Sequence, residues 1–209
     1  MVSHGLQRLS TGKLELTPEE EAVLKDQSFL LTKRIVSSKV MVTLEAYQDA
    51  ITEYLQTVNE SHQIRESSSK HPKISRGDNY GGLPYFVLDY PREFGQDETL
   101  AIRTMVWWGH FYSFTLHVSG PLKSDVLHRL IDRKAEFDQY YYCVNDTPWE
   151  YHYKPDNYQP LHSITQGQLT DDLVNRTFLK LSSYYPIGEH AHLQSRGLSF
   201  YEKIISLIA

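Results

Sequence analysis

Apolar residues along this chain change their spacing, and each change marks an element. Leu24, Leu31 and Ile35, followed by Leu44, Tyr47, Ile51, Leu55 and Val58, recur at intervals of three, four and seven, the period of one helical face. Thr17-Pro18-Glu19-Glu20 opens the region with a capping threonine, a proline suited to the first helical position, and a glutamate placed to close a capping box. The spacing predicts a helix from residue 18 and a second helix, or a continuation, ending near residue 58. The Ser37-Ser38 pair is the expected break.

From residue 83 to 120 the period falls to two. This stretch, LPYFVLDYPREFGQDETLAIRTMVWWGHFYSFTLHVSG, is the densest run of β-branched and aromatic residues in the chain. It reads as a strand over 83–90 stopped by Pro91, a loop over 92–98, and strands over 99–108 and 111–118. Gly109-His110 between the last two is a Gly-first pair suited to a type II′ turn. A two-residue turn pairs Trp108 with Phe111. Arg103 then shares a face with Tyr112, Phe114, Leu116 and Val118, and His117 lies opposite among Thr104, Ser113 and Thr115. A three-residue turn would change this pairing.

Helical spacing returns at Leu122, Val126, Leu127, Leu130, Ile131 and Phe137, with charges opposite. Residues 140–144 are short and β-prone, and Trp149, Tyr151 and Tyr153 alternate. Thr170-Asp171-Asp172 offers a helix start, and 178–185 suits a strand equally well. Ser199 and Glu202 form a second capping box, ahead of a terminal helix with Leu198, Tyr201, Ile204, Ile205 and Ile208 on one face. The polar, glycine-punctuated segments 62–82 and 154–167 read as loops. The first contains Arg76-Gly77-Asp78, read as a chance match to an adhesion tripeptide. The order of elements predicts a single α+β domain over 1–209, a mostly antiparallel sheet built around a central hairpin with helices packed on one face. Residues 1–16, which show no period, are expected to be mobile.

Composition narrows the function classes. The net charge of −5 over 209 residues, without a Lys/Arg run, argues against general nucleic-acid binding. Cys143 is the sole cysteine, so neither an intrachain disulfide nor a cysteine-based zinc cage can form. The first residues lack a secretory pattern and no apolar run reaches membrane-spanning length, so the expectation is a soluble cytoplasmic protein. Fifteen tyrosines are the one departure from average composition, and they suit core edges and binding surfaces alike.

Two sets of residues carry candidate chemistry. Arg103, a charge among aromatics, requires either an ion pair, with Asp89 as the natural partner, or a ligand anion. Asp89, Arg103, His117 and Tyr85 are therefore the candidate ligand-binding residues. His190 and His192, two apart in Gly188-Glu189-His190-Ala191-His192, reach one metal ion if the segment is extended. Only one such pair is visible, so a divalent metal is the less favoured reading. The sequence favours a non-catalytic module binding a small molecule or protein through an aromatic-rich sheet. A metal-assisted hydrolase using the His pair is the alternative, and a homo-oligomeric role is open to test by sizing.

Overall fold

A computed structural model describes residues 15–57 and 72–208. The mobility expected of the N-terminal segment concerns chiefly residues 1–14, which lie outside these, as do Val58 and the first part of the 62–82 segment.

The capping box at Thr17 and Glu20 forms as predicted and starts α1 (Pro18–Lys25). The break falls at Asp26 rather than at Ser37-Ser38. Asp26 accepts a hydrogen bond from the Phe29 amide and so caps α2 (Gln27–Thr57). The Ser37 and Ser38 hydroxyls bond back to the carbonyls of Lys33 and Arg34, which lets both residues sit inside a continuous helix.

Seven antiparallel strands form one sheet: β1 (Lys73–Tyr80), β2 (Leu83–Phe94), β3 (Thr99–Trp107), β4 (Phe111–Ser119), β5 (Tyr141–Cys143), β6 (Tyr158–Pro160) and β7 (Phe178–Pro186). Their spatial order is β1-β2-β3-β4-β7-β5-β6. Three further helices, α3 (Pro121–Asp132), α4 (Gln166–Asn175) and α5 (Leu193–Ile208), join α2 in the fold. The α+β class and the single helical layer stand as read from the sequence.

Four readings are corrected. The segment ahead of Gly81 is not a loop: residues 73–80, including Arg76-Gly77-Asp78, are an edge strand joined to β2 through Gly81 and Gly82, both at positive φ. Pro91 does not end β2. The pairing with β1 stops at Lys73 and Asp89, so among the described residues β2 is itself an edge beyond that point and the missing proline N–H leaves no neighbour unpaired. The terminal helix begins at Leu193, which puts Ser199 inside it. The segment over 154–167 is not all loop, since it holds β6 and a short 3-10 turn and leads into α4, which is capped by Thr165 and Gln168.

The central hairpin has a three-residue turn. Trp107, not Trp108, pairs with Phe111, and Gly109 takes φ of 75° between them. The Trp108 amide bonds across to the Pro84 carbonyl instead of entering the β3–β4 ladder. This exchanges the faces of β4 relative to β3. Phe86, Leu88, Ile102, Val106, Tyr112, Phe114, Leu116, Val118, Leu179 and Leu181 now form one apolar face. It is closed by Leu44, Tyr47 and Ile51 of α2 with residues of α3 and α5. Gly197 of α5 lies against the Tyr47 ring, where a Cβ would come within 2.5 Å of the ring atoms.

Candidate functional site

The other face of the sheet is polar and is covered by the chain between β5 and β6 rather than by helices. Register orders its side chains in rows that cross the strands. Tyr85, Trp107 and Phe111 form an aromatic row, followed by Val87, Met105, Ser113 and Tyr184. Asp89, Arg103, Thr115 and Ser182 come next, and Arg92, Ala101, His117 and Lys180 complete the series. The face thus grades from aromatic at one end to basic at the other.

Sequence reasoning had placed Arg103 and His117 on opposite faces; the turn length puts them on adjacent rows of the same one. Arg103 donates from Nε and Nη2 to the two carboxylate oxygens of Asp89, at 2.7 and 2.9 Å, and from Nη1 to the Tyr151 hydroxyl at 2.7 Å. The fork geometry matches the carboxylate and holds the guanidinium charged. Burial works against that charge, and the Asp89 contact more than offsets it, so the group's pKa is raised. Tyr85 lies at the aromatic end, packed against Tyr80 and remote from the basic row.

The covering segment is fastened by basic side chains that reach its carbonyls. Lys180, fully buried, donates to the carbonyls of Pro148 and Glu150, both at 2.7 Å, beneath the Tyr151 ring. Arg176 donates to those of Val144 and Asn145. Tyr80 accepts from the amides of Tyr151 and His152 and donates to the Glu150 carboxylate. These bonds satisfy backbone groups that a loop lying on a sheet would otherwise leave stranded. Burial pulls the Lys180 amine down to about 7, with Arg103 adding to the effect and Cys143 and Glu150 opposing it.

His117 is 4% exposed, and its Nδ1 has no hydrogen-bond partner among the described residues. Burial, with Lys180 and Arg103 adding to it, lowers its pKa to about 3, so the ring is neutral at physiological pH. The Nε of Arg92 is likewise buried and unpartnered among the described residues. The two residues flank Ala101, the smallest side chain of the row, about 10 Å apart at two strand spacings. Phe94 and Trp149 roof this end, their rings 6.4 and 5.9 Å from the imidazole, and both are substantially exposed. No protein-family model matches this chain, and no curated protein matches it.

His190 and His192 are elsewhere, beyond the far end of β7. Their segment is a 3-10 turn (Ile187–His192), not extended, so residues two apart do not share a side. Glu189 pairs with Arg196, and no group of three or more His, Cys, Asp or Glu side chains able to hold a metal is present among the described residues. His190 instead borders a cleft of about 430 Å³ between α2, the hairpin turn and the start of α5. Arg92 and Lys180 were missed as site residues. Arg92 follows a proline that reads as a strand end, and Lys180 sits in a segment equally suited to helix and strand. Its position between Leu179 and Leu181 was the available signal.

Proposed function

We propose that this protein is a non-catalytic binding module for a small organic anion, a carboxylate or phosphate on an apolar or planar body. Arg92 and His117 hold the charged group over Ala101, Lys180 and Arg103 supply further positive potential, and Phe94 and Trp149 contact the body. The observation that carries this reading is the pair of buried nitrogens, on β2 and β4 either side of Ala101, that have no partner among the described residues. Leaving such groups without partners is unfavourable, and native structures rarely do so without a use. Against four basic side chains on these two rows there is a single carboxylate, Asp89, already engaged by Arg103.

The test is titration calorimetry with acetate, benzoate, inorganic phosphate and phenyl phosphate. Benzoate and phenyl phosphate are expected to bind more tightly than their counterparts without a ring, because the ring contacts Phe94 and Trp149. A bound anion favours the protonated forms of Lys180, held at about 7, and of His117, lowered to about 3 in the free protein, so affinity for acetate and benzoate should rise and protons should be taken up as the pH falls from about 8 to about 5. His117→Phe should weaken binding and remove the His117 part of that dependence while leaving the Lys180 part, and Arg92→Met should weaken binding about tenfold or more. Absence of binding by every probe, or affinities that both substitutions leave unchanged, would overturn the assignment.

A further inference from the structure

Among the described residues, α1 and the first half of α2 have no counterpart to the core that holds the second half of α2. Leu44, Tyr47 and Ile51 are buried on the sheet, but Val23, Leu24, Phe29, Leu30, Leu31, Ile35, Val36 and Val42 are all exposed. With Leu16, they make up nine of the fourteen exposed large apolar side chains among the described residues, so the exposure is concentrated in one arm. At 100° per residue, Leu31, Ile35 and Val42 form a stripe about 180° round the helix from the core residues. Phe29 and Val36 continue the core side outward past the sheet. A helix apolar on both sides is one that is buried on both sides.

Charge along the arm says what buries it. Residues 18–26 carry Glu19, Glu20, Glu21 and Asp26 against Lys25, a net of −3, and residues 27–39 carry Lys33, Arg34 and Lys39, a net of +3. Within one chain the only ion pair among these groups is Lys25 with Glu21, among the described residues. Asp26, at a non-helical ψ of 88°, divides the two segments, and none of the acidic groups of the first pairs with Lys33, Arg34 or Lys39 among the described residues. Two arms laid antiparallel, crossing near Ser28, bring each acidic segment against the other's basic one, twice over by symmetry. The partner's α1 then runs along residues 31–38 and towards the cleft bordered by Val36, Lys39, Val40 and His190. Such a surface is complementary to itself, as a two-fold interface requires.

We infer that the α1–α2 arm is a dimerisation element and that its occupant is the arm of a second copy of this chain, antiparallel. The inference is independent of the anion site. Sedimentation over a range of concentrations is expected to show a reversible dimer, and Leu31→Glu/Ile35→Glu should raise its Kd about 30-fold or more with circular dichroism unchanged. The decisive experiment uses two charge variants. Glu19→Lys/Glu21→Lys makes the whole arm basic, and Lys33→Glu/Arg34→Glu makes it acidic. Each alone should be monomeric where the native chain is dimeric, and an equimolar mixture should form a heterodimer. A native chain that stays monomeric throughout would overturn the inference. So would variants that still self-associate, or a mixture that does not pair.

Discussion

The two faces of one sheet are built on different physics. The helix-covered face is apolar, with Phe114, Leu116, Val118 and Leu181 fully buried, and it is closed by elements that bring apolar surfaces of their own. The loop-covered face buries Asp89, Thr115, His117, Lys180 and Ser182, and it is closed by backbone carbonyls that need donors. The first holds together by removing area from water, which is insensitive to pH. The second depends on each polar group having a partner in the right protonation state, so its contribution to stability changes with conditions. What is conditional in this way is also adjustable, and the polar face is where a ligand can be recognised.

The sharpest test of the contrast is the largest effect. Phe114→Ala, which removes a ring packed on Tyr47, Tyr185 and Phe200, is expected to destabilise the fold by about 4 kcal/mol in chemical denaturation, equally at about pH 6 and about pH 9. Asp89→Ala should cost about 3 kcal/mol by stranding Arg103, while Asp89→Leu/Arg103→Met should recover most of that loss, as expected for a pair whose attraction is offset by desolvation. No second substitution should rescue Phe114→Ala in this way.

A further test is the pH profile itself. The folded chain holds the Lys180 amine at about 7, whereas the unfolded chain takes up that proton below its ordinary value of 10.5. Stability should therefore fall as the pH drops from about 10.5 towards 7, and Lys180→Met should flatten that part of the profile. His117, lowered to about 3 from 6.5, predicts a second loss as the pH drops below about 6.5, removed by His117→Phe. If either substitution leaves its limb of the denaturation profile unchanged, the polar face is not the pH-sensitive one.

What could be read from the sequence divides along the same line. Helical faces were legible because Leu44, Tyr47 and Ile51 repeat at a period set by the helix alone, and the Asp89–Arg103 pair was legible because a buried guanidinium demands a carboxylate. The sharing of a face by Arg103 and His117 was not. It turns on whether Trp108 belongs to β3 or to the turn, and that is decided by its amide bonding to Pro84 on the neighbouring strand. Lys-Ile-Ser-Arg-Gly-Asp-Asn-Tyr was hidden because an edge strand with little to bury has no apolar alternation to display. Ser199 looked like a helix start because a capping box is a local pattern, and here the helix had already begun at Leu193.

The strand order also sets a sequence of events during folding. β1 to β4 are successive hairpins and can assemble as they leave the ribosome, but the neighbour of β4 in the finished sheet is β7, and β5 reaches the sheet only through β7. Until the chain has been made as far as Pro186, the outer edge of β4 stays open, with Phe111 and Phe114 along it. A nascent chain whose first four strands had paired would present an unpaired aromatic strand edge in this interval, the kind of edge through which chains pair with one another. Inserting β7 closes that edge of the sheet and brings β5 and β6 with it, before the terminal helix completes the core.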